Sequence, residues 1–128
     1  MVLLIDTNVI IRFLAADIEA LHLESVDIFN KIYNNELQVE ILGEVLMEVL
    51  FVMKASYKEP KEETVESLKE ILSLRGVVNS DKYILIEALN VFCSKNIDFV
   101  DALICTKAKL EGYGKISFDK DVMKKCEQ

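Results

Sequence analysis

Short apolar runs alternate with longer stretches in which apolar residues recur at helical spacing. The runs at residues 2–5, 37–41, 76–78 and 115–118 are too short for buried helices, so they predict β-strands. The first run is apolar throughout and is followed by a polar Asp-Thr-Asn triplet, which favours a fully buried parallel strand. Strands that alternate with helices in this way predict an α/β fold, with helices on both faces of a parallel sheet.

The longer stretches predict helices, whose ends are marked by glycine, proline and potential capping residues. Asp17, Asp81 and Asp98 are the expected caps, Pro60 is expected in a first turn, and Gly76 is expected to close the helix that Pro60 opens. The helices are expected at about residues 7–15, 18–35, 43–56, 60–75, 82–95 and 99–111, with a short one after residue 118.

Size and composition predict one folded domain spanning residues 1–128. The chain is 52% hydrophobic and 29% charged, which is typical of a folded globular protein. It has no apolar stretch near the roughly 20 residues that cross a bilayer, and its start lacks the features of a signal peptide. We therefore expect no membrane segment and a location in the cytoplasm.

Cysteine and histidine offer little material for catalysis or metal binding. The three cysteines have no paired spacing typical of zinc or redox sites, and Cys93 and Cys105 are interpreted as small core residues. His22 is the only histidine, so histidine-based triads and histidine-containing zinc sites have almost no material to work with. Hydrolytic chemistry in this chain would have to come from acids.

Four carboxylates lie where predicted strands meet predicted helices: Asp6, Glu48, Asp101 and Asp119. An unpaired carboxylate among apolar residues is costly unless a cation or a strong donor compensates it. Because ligands bind beyond the carboxyl ends of parallel strands, we expect all four acids to share one edge of the sheet. Oxygen ligands select a hard ion, so the predicted cofactor is Mg²⁺ or Mn²⁺, which favours phosphodiester hydrolysis.

Each acid also has a purely structural explanation. Asp101 stands three residues after the cap Asp98 and can favour the helix N-terminus, while Asp6 can bond amides in its own turn. Asp119 can cap the last helix, and Asp121 can take over either role. The residues alone therefore leave open whether Asp119 or Asp121 is the fourth acid, and whether one ion or two are bound.

Glu48 lies on the helix predicted at residues 43–56. On a helical wheel it is nearer than Glu44 to the border of the apolar stripe, so it is the better ligand candidate. Exposure on that side of the helix would explain Glu48 without any role in binding. The stripe consists of Val45, Leu46, Val49, Leu50 and Met53.

The net charge of −7 argues against a broad electrostatic attraction to nucleic acid. The distribution of charge weakens this objection, because six of the fifteen basic residues fall in the last 22 positions, beside two of the four acids. A solvated helix face is the alternative interpretation of these lysines. They are Lys107, Lys109, Lys115, Lys120, Lys124 and Lys125.

The order of four short motifs resembles the PIN-domain ribonucleases. The motifs are residues 4–8 (LIDTN), 45–50 (VLMEVL), 98–104 (DFVDALI) and 117–121 (SFDKD). No single motif is specific, but the four in sequence cover nearly the whole chain and are most similar to VapC-like toxins of prokaryotic toxin-antitoxin systems. The chain departs from the family at Gly43, where Ser or Thr is frequent, and it ends soon after Asp121, where many relatives have another strand.

The resemblance implies a three-layer α/β/α fold with a mostly parallel central sheet of four or five strands. It implies that Asp6 is the central metal ligand, that Glu48 and Asp101 complete the coordination, and that Asp119 holds a second ion or orients water. Supporting roles fall to the polar pair Thr7 and Asn8, to Ser117 and to Asp121.

The activity that the resemblance implies is a divalent-metal-dependent endoribonuclease that cuts single-stranded or loop RNA by metal-activated water. For a toxin, it also implies a homodimer and a small antitoxin protein as partner. Ile10, Ile11 and Phe13 on the first helix are candidates for contact surface, although core packing explains them equally well.

Two alternatives belong to other functional classes. A receiver domain of a signalling system is also a compact, acidic, magnesium-binding α/β unit, but it needs an acceptor Asp after the third strand and gives Glu48 no role. Asn79-Ser80-Asp81 is a poor substitute for that acceptor. A catalytically silent PIN-like module that binds RNA or protein is the second alternative, and the presence of all four acids argues against it.

Overall fold

The computed structural model describes residues 1–127, with the side chains of all of them except Asp121 and Val122. The described chain forms two compact units, of which the first comprises Met1–Ser80 and the second begins at Asp81. None of the described helices combines the length and apolar character needed to cross a membrane.

The first unit contains two short strands and four helices. Strand β1 (Leu3–Leu4) pairs in parallel with β2 (Val39–Glu40), with Leu3 opposite Val39, and Val39 also forms a parallel bridge with Val77. The helices are α1 (Thr7–Ala15), α2 (Glu19–Tyr33), α3 (Gly43–Ala55) and α4 (Lys61–Leu72). The predicted parallel pairing is therefore confirmed for the first two strands, whereas the segment at residues 76–78 contributes one parallel bridge and no strand.

A side chain replaces the backbone where the pairing of β2 ends. The amide nitrogen of Ile41 donates to Asn79 Oδ1 at 2.8 Å, and Asn79 Nδ2 donates to the carbonyl of Ile41 at 2.7 Å. The side-chain amide of Asn79 thus bonds both the N–H and the C=O of Ile41. It extends the hydrogen-bond ladder beyond β2 without a partner strand residue. The backbone hydrogen bonds between β2 and the third segment, residues 76–78, run from the Gly76 carbonyl to the Val78 amide.

Gly76 is required for a close approach of backbones. Its amide donates to the carbonyl of Ile32 at 2.9 Å, and its own carbonyl accepts the amide of Val39 at 2.8 Å. A Cβ atom at this position would collide with the carbonyl oxygens of Leu37 and Ile32. Gly76 therefore allows residues 76–78 to lie close against β2. The sequence predicted instead that Gly76 closes the preceding helix, but that helix already ends at Leu72.

The apolar stripes of the helices form the core of the first unit. Leu46, Val49, Leu50 and Met53 are buried on α3, as the helical wheel predicts, and Val45 is half-buried. Ile10 and Ile11 on α1 are 0% and 2% exposed, so they are core residues and not the contact surface considered above. Phe13 is half-buried and packs against Phe29 of α2 with the two rings tilted by 46°.

Asp17 does not cap α2, contrary to the prediction from sequence. The residue that precedes the helix is Ile18, and the Asp17 carboxylate accepts hydrogen bonds from the Tyr57 hydroxyl at 2.7 Å and from Arg12 at 3.1 Å. The Tyr57 hydrogen bond is the main reason that the pKa of Asp17 lies below its usual range, and Arg12 lowers it further. Contacts between distant residues thus override the local capping preference.

All the regular secondary structure described in the second unit is helical. It contains α5 (Lys82–Ser94), α6 (Phe99–Glu111) and α7 (Lys120–Cys126), and α5 packs closely on α6 around Leu85, Leu89 and Ala102. Asp81 and Asp98 stand directly before α5 and α6 as predicted, but neither side chain makes a capping hydrogen bond.

The strand predicted at residues 115–118 is not formed. The described chain has no helix or strand between α6 and α7, and Ile116 and Phe118 are fully exposed. The strand β1 also differs from the prediction, because Leu3 and Leu4 are 38% and 67% exposed instead of buried. The described residues form an α/β fold that is mostly helical, and the four or five strands expected from the sequence are not confirmed.

Candidate functional site

Asp6 occupies the junction between β1 and α1 in the first unit. It precedes the helix with an extended backbone (φ −85°, ψ 153°), its side chain is exposed, and that side chain makes no capping hydrogen bond. The alternative explanation, that the Asp6 carboxylate bonds backbone amides in its own turn, is therefore not supported. The carboxylate is available at the carboxyl end of the strand, where ligands bind in parallel α/β folds.

A hydrogen bond brings Glu48 to the same end of α1. The hydroxyl of Thr7 donates to Glu48 Oε2 at 3.1 Å. Thr7 is only 5% exposed and directly follows Asp6, so it fixes the Glu48 carboxylate beside the first turn of α1. No such contact is found for Glu44 among the described residues, although both glutamates are exposed on α3.

Asn8 and Arg12 extend this region along α1. The Asn8 side chain is exposed and, with Arg12, lines a cleft of about 330 Å³ between α1 and α2. Arg12 is paired with Asp17, as described above. Asn8 thus faces solvent at the N-terminus of α1, as Asp6 does, while the Thr7 hydroxyl bonds Glu48.

Asp101 lies in the first turn of α6 in the second unit and is half-buried. Burial raises the pKa of its carboxyl above the usual range, and the negative charges of Asp98 and Asp119 raise this pKa further. Asp98 was treated in the sequence only as a helix cap, but it contributes to a local concentration of negative charge. The spacing of three residues between Asp98 and Asp101, which places both on one side of α6, was the available signal.

We predict that Asp101→Asn increases stability at neutral pH. Because the folded protein binds the Asp101 proton more tightly than the unfolded chain does, the stability this proton contributes is fully present below pH 3.8, the ordinary carboxyl pKa, and is lost as the pH rises through the raised pKa. The melting temperature of Asp101→Asn should exceed that of the wild type at pH 7 and equal it near pH 3. A lower melting temperature of the variant at pH 7 would contradict this.

Asp119 directly precedes α7, and its side chain is exposed. Its backbone amide donates to the Ser117 hydroxyl at 3.0 Å, and its carbonyl accepts the amide of Met123 as the helix begins. Ser117 thus bonds the backbone of the acid and not its carboxylate. Asp121 lies within α7, but its side chain is outside the described residues, so the choice between Asp119 and Asp121 as fourth acid stays open.

The predicted site residues thus form one pair in each unit. Glu48 is bonded to Thr7, the residue that follows Asp6, and the negative charge of Asp119 raises the pKa of Asp101. Within either unit, no group of three or more described Asp, Glu, His or Cys side chains could by itself hold a metal ion. The convergence of all four acids stays a prediction from the sequence.

The chemistry of each pair suits a hard divalent cation. All candidate ligands are carboxylate oxygens, the ligands that Mg²⁺ and Mn²⁺ prefer. No ion pair with Lys, Arg or His occupies Asp6, Glu48 or Asp101 among the described residues, and the field around Asp101 is negative. These carboxylates would therefore gain from a bound cation.

The state of the cysteines differs from the one expected from the sequence. Cys105 is buried, as expected, but it forms a disulfide with Cys126, while Cys93 is free and half-buried. The sequence spacing of Cys105 and Cys126 does not predict a disulfide. The two sulfur atoms come together only because α7 packs on α6.

The family of the chain follows from comparison with known proteins. A family model of the PIN domain matches residues 3–127, which include both units and all the acids discussed here. Comparisons with curated proteins and with solved structures returned no match. PIN domains are generally nucleases and typically use divalent metal ions, which agrees with the carboxylate pairs, and the receiver-domain alternative gains no support. The chain therefore belongs to the PIN-domain family and has its nuclease-type fold.

Proposed function

We propose that the protein is a divalent-metal-dependent endoribonuclease that hydrolyses phosphodiester bonds of RNA. The hydrogen bond from Thr7 to Glu48 carries this proposal, because it gathers two acids that are 42 residues apart at the start of α1. We also propose that both units are parts of one PIN domain, since the family match extends from residue 3 to residue 127.

The acids have distinct roles in this proposal. Asp6, Glu48 and Asp101 would hold Mg²⁺ or Mn²⁺, and Asp119 or Asp121 would complete the site. When bound, such an ion lowers the pKa of water and neutralises charge on the phosphoryl oxygen. Thr7 orients the Glu48 carboxylate, and the exposed amide of Asn8 can donate to a phosphate oxygen of the substrate.

The basic test combines purified protein with pooled RNA and a metal titration. Cleavage should require Mn²⁺ or Mg²⁺, stop on addition of EDTA and return when excess metal is restored. Single-stranded DNA of matched sequence serves as the control for RNA preference. Cleavage that persists in EDTA would contradict the metal dependence, and absence of cleavage with either metal would contradict the proposed activity.

Thr7→Val should weaken the site without unfolding the protein. The substitution nearly preserves volume but removes the donor to Glu48, and the loss of such a supporting hydrogen bond typically costs about 10–100-fold in metal affinity or activity. We expect cleavage at limiting Mn²⁺ to fall within that range and to recover partly at saturating Mn²⁺. Thr7→Ser keeps the hydroxyl and is the matched control; equal losses in both variants would argue against the positioning role.

We further propose that this nuclease acts in the cytoplasm as the toxin of a toxin-antitoxin pair. In this role it would form a homodimer and be inhibited by a small protein whose basic segment occupies the acidic site. Support comes from the VapC-like order of motifs in the sequence. The test is the adjacent gene: a small product with a basic segment should bind the protein and stop cleavage, whereas growth unaffected by expression of the nuclease alone would contradict toxicity.

A PIN domain that binds RNA or protein without cutting is the second candidate. It is favoured by one observation, namely that the described side chains of each unit contain no group of three metal-binding residues. The two candidates differ in the metal titration, because a silent module would bind RNA without producing fragments at any Mn²⁺ concentration.

A further inference from the structure

A disulfide joins α6, which carries Asp101, to α7, which directly follows Asp119. Cys105 lies in the middle of α6 and Cys126 is the last residue of α7. Their Cα atoms are 5.3 Å apart, a normal separation for bonded cysteines, and the bond closes a loop between residues 21 apart in sequence. The closed loop contains Ser117 and Asp119.

The segment between the two helices has little packing of its own. Residues 113–119 form no helix or strand, and Ile116 and Phe118 are fully exposed. A Cβ atom added at Gly112 or Gly114 would meet no other atom within 4 Å, so the surroundings of these glycines are open. The course of this segment therefore depends mainly on the helices at its two ends.

α7 needs an external attachment to stay in place. It has seven residues, and isolated helices of this length are unstable in water. Besides the disulfide, Lys95 Nζ donates to the carbonyl of Lys125 at 2.8 Å, and Lys125 Nζ donates to the carbonyl of Asn96 at 2.8 Å. These bonds lie at or near the surface and contribute less than a covalent link that closes a loop.

Electrostatic repulsion opposes the arrangement that the disulfide maintains. Asp98 and Asp101 lie at the start of α6, and Asp119 directly precedes α7, so both helix N-termini carry negative charge. Like charges favour separation of the α7 N-terminus from α6. Without the disulfide, we expect Asp119 to move away from Asp101.

The disulfide is also accessible and lies among more basic than acidic side chains. Cys126 is half-buried, and both cysteines line a cavity of about 410 Å³ together with Lys95, Lys109, Lys115 and Glu127. Neighbouring lysines stabilise thiolates and attract anionic reductants, and partial exposure permits attack on the sulfur.

We propose that the Cys105–Cys126 disulfide is a reversible redox site that positions Asp119 for catalysis; the catalytic part of this inference rests on the proposed nuclease function. A dithiol reductant attacks Cys126 as a thiolate, forms a mixed disulfide and releases Cys105, which takes a proton. The second thiol of the reductant then displaces Cys126, which also becomes a thiol. Two electrons and two protons pass to the protein, and the reductant leaves as a cyclic disulfide.

The experiment compares air-oxidised protein with protein reduced by dithiothreitol and freed of excess reductant. Oxidised wild type should have one reactive thiol, that of Cys93, and reduced wild type should have three. We expect cleavage of RNA at limiting Mn²⁺ to fall at least about tenfold on reduction and to recover on reoxidation. The apparent affinity for Mn²⁺ should weaken, while both forms stay folded at the assay temperature.

Three variants separate positioning from general stability. Cys93→Ser should respond to reduction as the wild type does, because Cys93 is outside the disulfide. Cys126→Ser opens the bond at its more exposed end and should be weakly active in both redox conditions, and Cys105→Ser should behave in the same way if the buried site of Cys105 tolerates serine. Saturating Mn²⁺ should restore much of the lost activity, which a merely structural role would not produce.

Amide hydrogen exchange provides a readout that does not depend on cleavage. Reduction should accelerate exchange in α7 and leave α5 unchanged. Three reactive thiols in the oxidised protein, or equal exchange of α7 in both forms, would overturn the inference. Equal cleavage rates in the two forms would overturn its catalytic part. If no form cleaves RNA, the proposed function fails, and the thiol count and exchange rates still decide whether the disulfide fixes α7.

Discussion

Asp6→Asn is expected to lower kcat/KM for metal-dependent RNA cleavage by more than about a hundredfold. Loss of a residue that only supports a metal ligand typically costs 10–100-fold, and Asp6 is the proposed central ligand. The fold should tolerate the change, because the Asp6 side chain is exposed and makes no capping bond. We expect the free energy of unfolding to change by no more than about 0.5 kcal/mol. Urea unfolding and cleavage kinetics on one preparation test both statements.

Glu48→Gln supplies an independent test from a different helix. Its amide oxygen can still accept the Thr7 hydrogen bond, so the geometry of the first unit should persist while the negative charge is lost. Glu44→Gln is the matched control, since Glu44 is exposed one turn earlier on α3 and lies outside the proposed site. Cleavage retained in both Asp6→Asn and Glu48→Gln, or lost equally in Glu44→Gln, would overturn the assignment of these acids.

Gly76→Ala should have the largest effect on stability. A methyl group at this position would collide with two backbone carbonyl oxygens, those of Leu37 and Ile32, which cannot yield as a flexible side chain can. The hydrogen bonds between Gly76 and the residues Ile32 and Val39 would be displaced at the same time. We expect the free energy of unfolding to fall by about 3 kcal/mol or more, measured by urea denaturation followed by circular dichroism.

Gly114→Ala is the control for the general effect of replacing glycine. A Cβ atom there meets nothing within 4 Å, and Gly114 does not have a left-handed backbone. Its stability should stay within about 0.5 kcal/mol of the wild type. If Gly76→Ala were as stable as Gly114→Ala, the close backbone approach described for the third segment would be incorrect.

Helices could be predicted well because their signals are local. The helix predicted at residues 7–15 is found as α1 with the same bounds, and α3 and α6 differ from their predictions by one residue at most. Apolar spacing and nearby helix-ending residues such as Gly112 suffice for this. Asp17 shows the limit, because its carboxylate is taken by Tyr57, 40 residues away.

Strands were harder to predict because an apolar run does not specify a partner. Residues 2–5 (VLLI) and 115–118 (KISF) were both predicted as strands, yet the first contains a short strand and the second forms no regular structure and leaves Ile116 and Phe118 exposed. Pairing depends on distant residues, such as Asn79, whose side chain takes the backbone groups of Ile41. A local pattern carries no signal for such a contact.

The acids of the candidate site could be selected from sequence because they stand at junctions between elements. The contacts that hold the acids in place could not be predicted from sequence. The contact from Thr7 to Glu48 requires α1 to pack on α3, and the disulfide of Cys105 with Cys126 requires α7 to lie on α6. Both depend on tertiary packing, which residue spacing does not reveal.

The shortness of β1 has a consequence for self-association. Leu3 and Ile5 donate their amides to the β2 side, so strand geometry directs the amide of Leu4 to the opposite edge, which pairs with no further strand among the described residues. The Leu4 side chain is also exposed. Open apolar edges invite strands of other molecules and can start fibril growth. Two residues extend only about 7 Å, too little to template a long intermolecular ladder. The brevity of this strand is therefore a protection against aggregation.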